Sequence, residues 1–301
     1  MRMNSYGWGL WLAALLLAPL AHGAPATSGG AGDFRFSSVL EARANPLGIG
    51  VTSELAWRVP LWHSDNVLLR GAYIEAGAIA QVSPASIHPG LFVRVSPIAP
   101  LVFRLSAQQL RYFGLFGNLS EYTDGVDADW SPDQRDRAWD EDLGRHETGY
   151  LATAQAILQL KFGPALAFFE ATQMWVGANI ADGSAWYESS SDLLVGKTDR
   201  INLLKGTVGA VLMGEVSEPE FVIAALHWQG WRTETSEVER QIGGALLLWR
   251  PGLWEASQLT FGTLLGVYLD DPYRAIGDVG LPDGIYAGAF AGINFLGDRA
   301  K

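Results

Sequence analysis

Residues 47–59 read LGIGVTSELAWRV: Leu47, Ile49, Val51, Leu55, Trp57 and Val59 fall on odd positions, with Gly48, Gly50, Thr52, Glu54, Ala56 and Arg58 between them. Successive side chains of a strand point to opposite faces, so a period of two predicts a strand with one apolar and one polar face. Segments 34–44, 150–162, 221–231, 259–267 and 285–295 alternate in the same way. Less regular strands, with slips that read as bulges, are predicted over 66–81, 89–95, 101–113, 165–176, 201–214 and 242–249, for about twelve in all. Few segments carry the 3.6-residue period of an amphipathic helix.

Alternation does not say which face is outside. A soluble sheet and a barrel in lipid write the same pattern with opposite orientation, and the connections help to separate them. PLWHSDN, SPIAP, FGPA, VSEPE and RPGLWEA are short and turn-rich, whereas 114–148 and 179–200 are long and 270–283 is intermediate. Placing the short set at one end and the long set at the other makes every strand direction consistent, as in outer-membrane barrels. Aromatics sit near predicted strand ends, at Trp57, Trp62, Tyr112, Trp175, Trp228, Trp231, Trp249 and Trp254, as an interfacial girdle would. The expected fold class is all-β: a membrane-spanning antiparallel up-and-down β-barrel of about twelve strands over 34–297. It must be closed, because an open edge would leave backbone groups unpaired in hydrocarbon. Leu47, Ile49, Val51, Leu55 and Val59 are then assigned to lipid, and Thr52, Glu54 and Arg58 to the lumen. The competing reading is a soluble exported β-sandwich.

Composition favours the barrel. Charged residues make up 18% of the 301, below the quarter or so usual for soluble domains, and the lysines are Lys161, Lys197, Lys205 and Lys301 alone. With no cysteine, disulfides, thiolate metal sites and cysteine nucleophiles are excluded. A formal charge of -11 argues against a nucleic-acid partner. Glycine-rich elements such as GAFAG precede no helix, so they are not phosphate cradles, and no cofactor is implied. Residues 1–23, with Arg2, the run WGLWLAALLLAPL and Ala21-His22-Gly23, read as a secretory signal. Residues 24–33 read as a flexible periplasmic lead-in and 298–301 as a short tail.

On the signal segment, the dyad strands, the short and long connections and the final strand GIYAGAFAGINF, the chain resembles the bacterial outer-membrane β-barrel superfamily over 34–295. The resemblance implies export to the outer membrane of a Gram-negative bacterium. It implies as partners the outer-membrane lipids, lipopolysaccharide and the insertion machinery, which in that superfamily reads a final aromatic residue. Here Phe295 is followed by LGDRAK, a departure from that terminal signal. Nothing in the resemblance names a cargo.

Alternation gives the lumen Arg35, Glu41, Arg43, Glu54, Arg58, Arg70, Glu75, Arg104, Gln155, Gln159, Lys161, Glu170, Lys205, His227 and Gln229. Such charges either brace the interior by pairing or line a water-filled path and bias its ion selectivity. Between 120 and 147, Glu121, Asp124, Asp127, Asp129, Asp133, Asp136, Asp140, Glu141, Asp142 and Glu147 face only Arg135, Arg137 and Arg145. This segment reads as a solvated outer loop, as a lid over the pore anchored by Trp130 and Trp139, or as carboxylates for a divalent cation. DGVDADWSPDQ lacks calcium-loop spacing, and no metal site is assigned. His227, in LHWQGW, has no serine beside it in a hydrolase motif, and Ser189, Ser190 and Ser191 read as a turn. The leading expectation is a narrow or loop-gated channel or transporter for small solutes. Twelve strands enclose a lumen between that of side-chain-filled small barrels and that of open porins. The alternative is a plugged barrel with a structural or adhesive role through the acidic loop; a third reading is a membrane-embedded lipid hydrolase.

Overall fold

A computed structural model of the chain describes residues 32–45, 48–113, 121–131, 133–134, 137, 146–216, 218–252, 257–276, 279 and 283–296. The signal segment, the lead-in before Gly32, the tail, Leu47, Trp139, Trp254, Asp140, Glu141 and Asp142 lie outside these residues. The strands in chain order are β1 (Asp33–Ala44), β2 (Gly48–Pro60), β3 (Tyr73–Val82), β4 (Ser86–Ile98), β5 (Leu101–Phe113), β6 (Glu121–Tyr122), β7 (His146–Phe162) and β8 (Ala165–Ala178). Then come β9 (Ala185–Glu188), β10 (Leu193–Gly196), β11 (Thr198–Gly214), β12 (Glu220–Thr233), β13 (Glu239–Pro251), β14 (Ser257–Asp270) and β15 (Ile285–Leu296). Twelve of them form one closed antiparallel barrel, sealed where β15 returns to β1 with Phe295 opposite Phe36. β6, β9 and β10 make a separate small sheet.

The predicted slips are register shifts between Val95 and Ile98, between Val211 and Met213, and between Gln241 and Ile242. The strand expected from 66 starts at Tyr73 instead, because the Asn66 carbonyl accepts from the Leu69 and Arg70 amides and turns the chain. Arg70 accordingly lies exposed in that turn, donating to the Asp65 carbonyl, and not in the lumen. The five connections read as short and turn-rich share the end that holds Asp33 and Leu296; the long ones share the other, together with the brief links from β1 to β2, β3 to β4 and β12 to β13.

The exterior decides the orientation of every strand. Each barrel strand exposes large apolar side chains, among them Leu226 at 73%, Leu91 at 69% and Leu265 at 63%. Ile49, Leu55, Trp57 and Val59 face out, while Thr52, Glu54 and Arg58 are buried, as alternation required. The exposed charges of the described barrel strands are Arg111, Lys161, Arg200, Glu220, Arg232, Glu239 and Asp270, and each sits at a strand end. A charge-free apolar belt between polar rims is the surface that a hydrocarbon layer requires and that water penalises. Trp57, Trp62, Trp228 and Trp249 are exposed on this surface. Tyr112 and Trp231 are not part of the girdle. Tyr112 is buried and reaches Glu188, and Trp231 packs on the inner apolar clusters. Strand phase overrides their position at a strand end.

Inside, one wall is apolar. Phe221, Ile223, Ile242, Leu246, Leu248, Leu264, Tyr268, Tyr286 and Phe290 from β12 to β15 form a continuous cluster. Gly262 lacks a side chain where the Phe290 ring lies against it, so even a methyl group there would displace the ring. Leu265, near the middle of β14, tests the lipid face: Leu265→Arg is expected to destabilise the barrel by about 2–4 kcal/mol in reversible urea unfolding from phospholipid vesicles. A soluble barrel would tolerate the change.

Candidate functional site: a plugged, charged lumen

The opposite wall is polar. Alternation on β2, β3, β4 and β5 aims Glu54, Arg58, Glu75, Arg94 and Arg104 at one another. Arg58 meets Glu75 at 2.5 Å, Arg94 spans Glu75 at 2.5 Å and Glu54 at 2.9 Å, and Arg104 holds the other Glu54 oxygen at 2.7 Å. Arg58 also lies 3.6 Å over the Tyr73 ring and Arg104 4.7 Å over that of Phe92. Arg35 borders the same space. Around the wall, Lys205 pairs with Glu170 at 3.0 Å, Glu170 accepts from Thr172, and Thr172 accepts from Gln155. His227 Nδ1 lies 2.8 Å from Thr207 Oγ1, and Gln229 is buried beside them on β12. Glu41 faces inward on β1, while Gln159 and Lys161 line the mouth on the strand-terminus side.

The connection 179–197 folds into the lumen rather than extending outside or lengthening a neighbouring hairpin. Every residue from Ser184 to Gly196 is buried. Its partners come from around the ring: Arg43 of β1 donates to the Ser189 carbonyl at 3.0 Å, Tyr112 of β5 to Glu188, and Arg240 of β13 to the Ser191 carbonyl at 3.0 Å. Only a position inside the mouth touches all three. The tip closes on itself, because Glu188 accepts from the Ser190 and Ser191 amides and from the Ser190 hydroxyl. At Asp192, in a left-handed conformation with φ 56, the chain turns back. Its carboxylate meets Arg240 at 2.8 Å and Arg274 at 2.7 Å, and both guanidiniums also hold Asp271, at 2.7 and 2.9 Å.

The acidic loop covers this hairpin. β6 pairs with β9, and Trp130 is buried against Tyr187 and Tyr273, with ring centroids at 6.0 and 5.1 Å. Trp130 thus anchors the segment inward, while Asp124, Asp127 and Asp129 stay exposed on its outer surface. Of the residues predicted to line the lumen, Arg35, Glu41, Arg43, Glu54, Arg58, Arg104, Gln155, Gln159, Lys161, His227 and Gln229 all take the inward phase. Arg94 was missed because prolines flank its strand, although Phe92, Arg94 and Ser96 continue the alternation. Arg240, Arg250, Asp271 and Arg274 lie beyond the predicted strand ends, where a period of two gives no guide.

No family model and no curated protein matches the chain. Among solved structures it is similar to the beta domain of the Bordetella autotransporter Brka, at 15% identity and TM-score 0.46 over 88% of this chain and 99% of that one. It is also similar to LpxR from Salmonella typhimurium, at 11% and 0.38 over 87% and 99%. A third is an outer membrane channel from Pseudomonas putida F1, at 7% and 0.41 over 91% and 99%. With TM-scores below 0.5, none of these assigns the chain an activity.

Glu75→Gln would leave two guanidiniums sharing one fewer carboxylate in the wall, at an expected cost of about 3–5 kcal/mol in the same urea assay. For Asp271, burial pushes the carboxyl up, but Arg240 and Arg274 outweigh burial and hold it below its ordinary 3.8. A depressed folded-state value stabilises the latched hairpin fully above the ordinary carboxylate range. That stabilisation is lost as pH falls through the depressed value. The near-ultraviolet circular dichroism of buried Trp130 and Trp186 is therefore expected to hold from neutrality to about pH 4 and to decline below it.

Proposed function

We propose that the protein is an outer-membrane channel for small anionic solutes, gated from the long-loop side by the β9–β10 hairpin. The charge-free belt supports the membrane setting, with the long loops outward and the strand termini toward the periplasm. The sign of the lumen wall carries the reading. Its fully buried cations are Arg43, Arg58, Arg94, Arg104, Lys205, Arg240 and Arg250, against Glu54, Glu75, Glu170 and Asp199. The hairpin tip brings Glu188 and Asp192 into this excess and no buried base. The plug therefore complements the wall, and its withdrawal leaves a lumen that concentrates anions. Polar atoms of Gln108, His88 and Arg35 have no protein partner among the described residues, and hydration of the lumen would serve them.

At its tip the closure is an ionic latch whose freed groups are readily hydrated. Trp186, Leu193 and Val195 pack on the apolar wall of β5, β7, β8 and β11, and exposing them on withdrawal keeps opening rare. The exposed acids Asp124, Asp127 and Asp129 favour adhesion as the second reading. Planar-bilayer recordings separate the two. The wild-type barrel is expected to open rarely, Asp192→Asn to raise open probability about tenfold or more, and the reversal potential in a salt gradient to lie on the anion side. Silence from both proteins, each verified as folded by its heat-sensitive gel shift, would remove the channel reading. Cation-selective openings would remove the anionic solute.

A further inference from the structure

At the mouth opposite the hairpin the barrel holds a cavity of about 600 Å³, within the range of small-molecule sites. Phe168, Ile223, Leu246 and Leu248 form its floor, and Val67 and Leu68, from the turn between β2 and β3, stand at its edge. That turn lies across the mouth because the Leu68 carbonyl accepts from Ala99 between β4 and β5. Val67 and Leu68 are 74% and 53% exposed, so an apolar chain entering from this side meets an apolar rim before an apolar interior.

The polar side chains of the cavity are Lys161, Gln159 and Thr207. Lys161 stands at the rim, with no ion-pair partner among the described residues. The buried Nε2 of Gln159, two residues inward on the same face of β7, has no hydrogen-bond partner among the described residues. Thr207 is engaged with His227, and no carboxylate lines the space among the described residues. An ammonium at the rim, an unpaired amide donor just inside it and an apolar floor are complementary to an anionic head on a hydrocarbon tail.

We propose that this cavity binds a medium-chain carboxylate, its head on Lys161 and Gln159 and its tail against Phe168, Ile223, Leu246 and Leu248. The site goes beyond the channel reading and does not need the hairpin to move, so its failure and that of the channel are read in different experiments.

The full-length barrel in phospholipid nanodiscs is exposed to dodecanoate carrying a photoactivatable diazirine at the far end of its chain, and labelled residues are mapped by mass spectrometry. Label on Phe168, Ile223, Leu246 or Leu248, displaced by unlabelled dodecanoate, is the expected result. Competitors are expected to weaken by up to about fourfold per methylene removed. Lys161→Gln is expected to weaken competition by dodecanoate and leave that by dodecanol unchanged. Label confined to lipid-facing neighbours such as Leu226 and Leu247 would overturn the site. Equal competition by dodecanol and dodecanoate in the wild type, or no effect of Lys161→Gln, would overturn the anionic head.

Discussion

A backbone amide or carbonyl in hydrocarbon has no water to turn to, so every strand must find both neighbours within the protein. The pairing of β1 with β15 meets this constraint, and much else follows from it. Once the sheet is closed, each strand has an inside and an outside, and a one-residue change of phase would exchange them. The outside carries Leu, Val, Phe and alanine in a belt with charges only at strand ends. Every charge that the described barrel strands carry mid-strand thereby faces the lumen, while the polar side chains left outside there, such as Thr263 and Asn202, are uncharged.

A twelve-stranded lumen is too wide for facing side chains to fill by themselves. This chain meets the problem in three ways. On β12 to β15 it packs an apolar cluster. On β2 to β5 it uses long guanidiniums, with Arg94 bridging both acids, so that Glu54 and Glu75 each receive two arginines. At the long-loop end it inserts a segment of its own chain. Charges removed from water are costly unless geometry and hydrogen bonding compensate, and the multiply bridged arrangement supplies that compensation. The hairpin is joined to the wall in two ways: by carboxylate–guanidinium and carbonyl contacts at its tip, and by Trp186, Leu193 and Val195 packed on Leu110, Leu151, Met174, Val176, Ile201 and Leu203. The interior thus combines a cross-braced polar wall with an inserted hairpin.

Much of this was legible along the chain. Tyr150, Leu158 and Phe162 against Gln155, Gln159 and Lys161 gave the orientation of β7 without reference to any other strand, because the pleat is a local property. The exceptions are instructive. Tyr112 and Trp231 stand where girdle aromatics belong, but their phase turns them inward, and phase prevailed. Arg94 was obscured by prolines that blur its strand, and Arg70 was displaced by a turn that shortens the next one. The acidic segment was read both as a solvated loop and as a lid. It is partly each: Trp130 is buried and Asp124, Asp127 and Asp129 are exposed.

The sequence by itself determined the barrel strands, their number, the face each turns outward and the end at which the long connections gather, but not the small sheet of β6, β9 and β10. These follow from side-chain alternation and loop length, which act between near neighbours. Only the tertiary structure decided that residues 184–196 lie inside the barrel and that Asp192 joins Arg240 to Arg274. It also decided that the acids of the plug answer a cationic wall. Those contacts join residues distant in sequence that meet only because the sheet has closed, so no local pattern announces them.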